Sequence, residues 1–342
     1  MRDRRVTSED VARQAGVSRT TVSLVLNGVQ TIKISPETRQ KVLETAAALG
    51  YVPNAMAQAL VSRRTQAIGL VFTRQPHHIA TDSFLPQVLE GMLEVVRTHN
   101  LRLLIDIVDP EHQEQAYQQL VQAKRIDGIV FSGPRLDDVA LVNLEREGFP
   151  TVLMGQLPGS NFHTVDVDNR LAARQAVEYL ISLGHRQIAC LTNAPASYSA
   201  SADRLEGYRE ALLGAGLPYN PALVRYGDFE PESGHAQMSS LLEAGVPFTA
   251  GFVASDAVLI GAHAALRERG LEIPGDISLV GFDDIAWSRY IAPPLTTVRL
   301  PAEELGRQAC QMLLQILHGQ AVLQKNIVLP TELIIRNSCR AL

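Results

Sequence analysis

At 342 residues the chain is too long for one small core, and a hydrophobic fraction of 46% excludes extended disorder. The net charge of −5 is unevenly held: residues 1–64 carry 10 Lys+Arg against 5 Asp+Glu, and the remainder carries 21 against 31. A basic head on an acidic body fits a polyanion-binding module joined to a domain with another task.

The head reads as three short helices. Thr7 and Asp10 form a T-x-x-D start for SEDVARQA, whose Val11, Ala12 and Ala15 make an apolar stripe, and Gly16 stops it. Ser18 is placed to cap a second helix with Val22, Val25 and Leu26 facing inward. Ser35-Pro36-Glu37 opens a third, lined by Val42, Leu43, Ala46 and Leu49 and ended by Gly50. PNAMAQAL is a further helical start, too short to be stable alone in water. The polar stretch Ser62–Thr65 follows as a linker.

From Gln66 the pattern becomes strands alternating with helices. AIGLVF, LRLLIDIV, DGIVFSG and PTVLMG read as strands, separated by helices such as FLPQVLEGMLEVVRTHN. The cycle restarts after Asn169 and runs through RQIACLT, ALVRYGD, FTAGFVAS and ISLVGFDD. Two runs of βα units predict two parallel-sheet subdomains, with a ligand cleft between the C-terminal ends of their strands. Cys190, Cys310 and Cys339 have no metal-ligand spacing and read as reduced thiols. MRDRRVTSED lacks an apolar leader and no run reaches membrane-span length, so a cytoplasmic chain without membrane contact is expected.

Two helices separated by Gly16, the second carrying Arg19 and rich in hydroxyls, fit a helix-turn-helix whose second helix enters the DNA major groove. Arg19 can fork onto guanine, Thr20 can offer its hydroxyl or methyl, and Leu24 can offer only apolar contact. The competing reading is an ordinary solvated three-helix bundle, which spacing, caps and basic charge together disfavour.

VTSEDVARQAGVSRTTVSLVLNG followed by SPETRQKVLETAAALGYVPNAMAQAL resembles the DNA-binding head of the LacI/GalR repressor family. GDFEPESG, VGFDDIAWSRYIAPPLTTVRLPAEELG and LPTELIIRNSC resemble its ligand-binding core. The resemblance implies an all-α helix-turn-helix head (residues 1–52), a hinge helix with linker (53–65) and an α/β core like the periplasmic binding proteins (66–342). It divides the core into an N-subdomain of about 66–165 with 296–327 and a C-subdomain of about 166–295 with 328–342. It places Thr7, Ser18, Thr21, Ser23, Asn27 and Asn54 against phosphates and makes Arg19, Thr20 and Leu24 the base-reading set. Ala57 and Leu60 fall on the hinge helix, where Leu60 would wedge into the central minor groove and kink the duplex. Leu24 departs from the polar residue of many members.

For the effector, the resemblance assigns Arg204 and Asp283 as charged grips, and Phe229 and Phe84 as aromatic walls. Asp256 is either a second carboxylate contact or a cap for the next helix. Gly155-Gln156 stands where many sugar-responsive members carry Asp or Arg, so one grip is missing or replaced. Trp287 is expected either at the cleft border or inside a subunit. His77-His78 is read as part of a solvent loop, because adjacent residues alone are poor metal spacing; no metal or cofactor is expected.

The function expected is a homodimeric repressor on pseudo-palindromic double-stranded operator DNA, released by a small effector, most simply a sugar. A corepressing nucleobase is the alternative, since GDFEPESG also resembles purine-responsive members. An α/β enzyme is disfavoured: there is no nucleophile elbow, P-loop or G-x-G-x-x-G after the first strand. A plain solute-binding protein fits neither the missing leader nor the basic head.

Overall fold

Thr7 starts the first helix, α1 (Ser8–Ala15), through a reciprocal capping box. Its hydroxyl accepts from Asp10 N at 3.4 Å, and the Asp10 carboxylate accepts from Thr7 N at 3.0 Å. Gly16 closes the helix at φ 69°, a left-handed conformation in which any Cβ is strained. Ser18 then accepts from Thr21 N at 3.0 Å and opens α2 (Arg19–Leu26). Ser35 caps α3 (Pro36–Ala48), with Pro36 in the first turn. Val11, Ala15, Val22, Val25, Val42 and Ala46 bury a small shared core. Leu43 departs from expectation: it is 43% exposed. Val42 and Ala46 lie one above the other, and Leu43 is rotated about 100° from them, toward solvent.

The computed structural model describes residues 6–26, 33–52, 64–110 and 112–342. Two compact units divide at Ala67, with Lys124–Asp127 grouped with the first. The expected hinge helix, with Asn54, Ala57 and Leu60, lies outside the described residues, as does Asn27.

The second unit is built on two six-stranded sheets. The first contains β1 (Ala67–Thr73), β2 (Arg102–Val108), β3 (Gly128–Ser132), β4 (Thr151–Met154), β5 (His163–Val167) and, from far along the chain, β11 (Asn326–Leu329), in the order β11-β5-β4-β3-β1-β2. The second contains β6 (Ile188–Thr192), β7 (Val224–Tyr226), β8 (Ala250–Val253), β9 (Ser278–Asp283), β10 (Thr296–Arg299) and β12 (Glu332–Ile334), in the order β12-β10-β9-β8-β6-β7. Strands β1, β3 and β4 are buried throughout, as helices on both faces of a parallel sheet require.

Helices α4 (Leu85–Thr98), α5 (Gln113–Gln122) and α6 (Val139–Arg146) belong to the first half. Helices α7 (Asn169–Ser182), α8 (Ser199–Gly214), α9 (Pro231–Glu243) and α10 (Asp256–Glu268) belong to the second. The last helix, α11 (Ala302–Leu317), returns to pack on α4.

The chain therefore crosses between halves three times, and all three crossings differ from the expected boundaries, the last because β11 keeps Val328 and Leu329 in the first sheet, paired with Asp166 and Val167. β5 runs to Val167 in the first sheet, so the first crossing lies after 165. β10 pairs in parallel with β9, matching Thr296 to Val280 and Arg299 to Asp283, so residues 296–299 belong to the C-subdomain. The second crossing falls after Arg299, where strand pairing ends.

Candidate functional site

On the head, α2 turns Val22 and Val25 inward and leaves Arg19 and Thr20 exposed. Leu24, one turn beyond Thr20, lies on the same side and is half-buried. Thr20 and Leu24 thus share one side of α2, and Arg19 lies about 100° round from Thr20 at the helix start, also exposed. Arg19 Nε donates to Ser8 Oγ at 3.2 Å, which steadies the guanidinium against α1. Ser18 and Thr21 share a hydroxyl hydrogen bond of 2.9 Å. Ser18 and Thr7 thus serve as caps, the Thr21 hydroxyl braces the Ser18 cap, and Ser23 is half-buried.

In the second unit a cleft opens between the two sheets at the ends of their strands. It is lined from both halves, by Phe84, Gly155 and Asp166 on one side and by Tyr198, Arg204 and Asp283 on the other. Arg204, on the second turn of α8, is 7% exposed. Its Nε donates to Asn169 Oδ1 at 2.8 Å and an Nη donates to the Ala254 carbonyl at 2.7 Å. The guanidinium lies 3.9 Å from the centre of the Phe282 ring and 3.9 Å from Asp283 Oδ1. Burial pulls its pKa down, while Asp283 and Asp166 oppose that pull. A guanidinium fixed on so many sides presents its remaining N–H groups in a set direction.

Asp283 ends β9 at φ 118°. Burial pushes its carboxyl up to about 7, against the attraction of Arg204. Asp166, on β5 from the opposite sheet, is likewise raised to about 7 by burial, although Val167 N at 2.8 Å and Asn169 Nδ2 at 3.2 Å donate to it. Asp82 accepts from the backbone N–H of Phe84 and Leu85, both at 2.8 Å, and pairs with Arg74. Phe84 and Phe229 both line the cleft, and Arg74 stacks 4.1 Å from the Phe229 ring centre. Two buried polar atoms of cleft residues have no hydrogen-bond partner: Arg74 Nε and Asn193 Oδ1. Buried orphans are uncommon in folded proteins, and a bound polar molecule would relieve them.

Asp256 is not a cleft residue. It is fully buried, and its carboxylate accepts from Thr297 Oγ1 at 2.7 Å, Ser288 Oγ at 2.5 Å and Ile285 N at 3.2 Å. Nor does its side chain cap α10. It instead anchors the turn after Asp283 to the helix. Gln156 is exposed, whereas Gly155 lines the cleft at φ 122°, where a Cβ would sit 2.6 Å from the Pro134 ring. Trp287 is 66% exposed and lines neither cleft nor core. The expected solvent loop at His77-His78 is a 3-10 helix, Pro76–Ala80, in which His78 is 2% exposed.

Sequence reasoning passed over Asp82, Asp166, Asn193 and Tyr198. Tyr198 carries the clearest bond between the two halves: its hydroxyl donates to the Thr73 carbonyl at 2.7 Å. Next to it, Leu136 N donates to the Ser197 carbonyl at 2.6 Å, and Ser199 N to the Pro134 carbonyl at 3.1 Å. These contacts hold the cleft walls together.

Residues 7–54 match the family of bacterial regulatory proteins called the lacI family, and residues 177–339 match a periplasmic binding protein-like domain. The chain is 35% identical over 340 residues to the HTH-type transcriptional regulator CelR of Thermobifida fusca, covering 98% of this chain and 99% of that one. The structure of a CelR–cellobiose complex aligns with a TM-score of 0.75 at 34% identity, over 98% of this chain and 100% of that one. The lac repressor dimer bound to operator and an anti-inducer aligns with a TM-score of 0.85 at 32% identity, over 99% and 100%. No described helix is long and apolar enough to cross a membrane.

Proposed function

Because the chain belongs to the lacI family of bacterial regulatory proteins, and is thus a ligand-responsive DNA-binding transcriptional regulator, we propose that its cleft takes a sugar whose binding releases a homodimer from a palindromic operator. The carrying observation is the pair of orphaned polar atoms, Arg74 Nε and Asn193 Oδ1, in a cleft that also presents Asp82, Asp166 and Asp283. A sugar hydroxyl donates and accepts at once, so it serves carboxylate, guanidinium and amide together. The Phe229 ring supplies an apolar wall for the C–H face of a pyranose. A likeness to a regulator solved with cellobiose supports the same class.

In this reading Arg19, Thr20 and Leu24 read bases, while Thr7, Ser18, Thr21, Ser23, Asn27 and Asn54 face phosphates. Ala57 and Leu60 act in the central minor groove. Arg204, Asp283, Phe84 and Phe229 bind the effector, which acts by shifting the population between arrangements of the two halves.

The test is operator selection from random DNA followed by gel shifts with a panel of sugars and nucleobases. A palindromic site that a sugar weakens is expected. A nucleobase that strengthens binding would replace the sugar reading with corepression. Equal binding to random and palindromic DNA would overturn the operator assignment.

A further inference from the structure

We propose that His77, His78 and Glu230 form a divalent transition-metal site that staples the two halves of the core together at the mouth of the cleft. One ligand atom from each of the three lies within 4.8 Å of both others. His77 Nε2 is 3.7 Å from Glu230 Oε2, and His78 Nε2 is 3.5 Å from Asp228 Oδ2. The two imidazole rings meet edge to face with centroids 4.3 Å apart. Tetrahedral zinc with bonds of about 2.0–2.2 Å needs ligand separations near 3.4 Å, which small side-chain rotations supply here.

The buried ring of His78 points to a ligand independently of that clustering. It is 2% exposed, and both Nδ1 and Nε2 lack a hydrogen-bond partner. An imidazole with neither nitrogen hydrogen-bonded is costly in the interior, and a metal bond would satisfy one nitrogen. His77, by contrast, is largely exposed and gives solvent access.

The donor set selects the metal. Two imidazoles and a carboxylate suit zinc and its neighbours rather than magnesium or calcium, which take oxygen ligands. Glu230 and nearby Asp228 together bring charge to balance a divalent ion, and Asp228 or water completes the shell. The nearby guanidinium of Arg74 opposes a cation, but its charge is met by Asp82.

The site's place in the fold gives it a consequence. His77 and His78 follow β1 of the first sheet, whereas Asp228 and Glu230 lie between β7 and α9 of the second half. A shared ion therefore favours the closed cleft. By linkage it would raise affinity for any ligand held by closure, and that ligand would raise affinity for the ion by the same factor. None of this depends on which effector the cleft takes.

The experiment uses full-length, tag-free, chelator-treated protein titrated with Co²⁺ alone, read by visible absorption, and then with competing Zn²⁺. Expected are one Co²⁺ per chain, displacement by Zn²⁺, and at least tenfold weaker binding in both H77Q and E230Q. Cys339→Ser should bind as wild type, which separates this site from thiol coordination. Amide exchange across residues 74–80 and 227–230 should slow with Zn²⁺ in wild type and not in E230Q. No saturable binding, or either variant binding as tightly as wild type, overturns the site. Binding without the exchange effect overturns the staple.

Discussion

Replacing Asp283 by Asn tests the electrostatics of the cleft without an effector. In the folded protein burial holds the Asp283 carboxyl at about 7, above its ordinary 3.8. Between those values the native state binds a proton that the unfolded chain has lost, so stability falls as pH rises through this window. The wild type should therefore lose stability relative to D283N, by about 4 kcal/mol between pH 4 and pH 8, at about 1.4 kcal/mol per pH unit. The Arg204 guanidinium, 3.9 Å away, is already counted in that balance as the attraction opposing burial. Urea unfolding followed by circular dichroism at unit pH intervals measures the difference. The stability of D283N relative to the wild type should rise steadily toward high pH. A difference that stays constant with pH, or grows in favour of the wild type, refutes a raised carboxyl.

Arg204→Met should abolish the response to effector while leaving operator affinity intact. Its cost at pH 7 should fall below the roughly 3–5 kcal/mol of a stranded buried charge, because Asp166 and Asp283 can take up protons; gel shifts and urea melts check both. Tyr198→Phe removes the 2.7 Å bond to the Thr73 carbonyl. Leaving that acceptor unpaired costs about 1–3 kcal/mol, so effector affinity should drop by roughly tenfold or more by calorimetry. Thr7→Val dissolves the capping box and should cost the head about 1 kcal/mol, seen as a lower melting temperature and weaker operator binding. Operator affinity of the wild type should fall steeply with salt in proportion to the phosphates neutralised, and a flat salt series would remove the phosphate contacts.

The head was legible because its signals are local. T-x-x-D, a Gly after the last apolar residue and Ser-Pro-Glu each fix one helix end within four residues of sequence. Leu43 escaped because a run of apolar residues does not say which of them the neighbouring helices reach. In the core, continuous apolar runs marked β1, β3 and β4. Polar residues hide His163–Val167 and Asn326–Leu329, and nothing in the four residues Thr296–Arg299 tells that their strand pairs with β9 of the second half.

The cleft was legible only where the resemblance reached it. Arg204, Asp283, Phe84 and Phe229 line it, whereas Asp256 is consumed by Ser288, Thr297 and the backbone of Ile285. Nothing in the spacing of SDAV distinguishes a carboxylate that meets a ligand from one that secures a turn, because the deciding partners lie 29 to 41 residues away. The same holds for His77-His78, whose acidic partners come from the other half of the core. Polar contacts across the cleft include Tyr198 to Thr73, Leu136 to Ser197, Ser199 to Pro134 and Arg74 on Phe229, beside His77 near Glu230 and His78 near Asp228. Each such hydrogen bond is worth about 1 kcal/mol net in water, so each adds only modestly to closure. A molecule that adds two or three hydrogen bonds across the gap is then enough to reverse the populations.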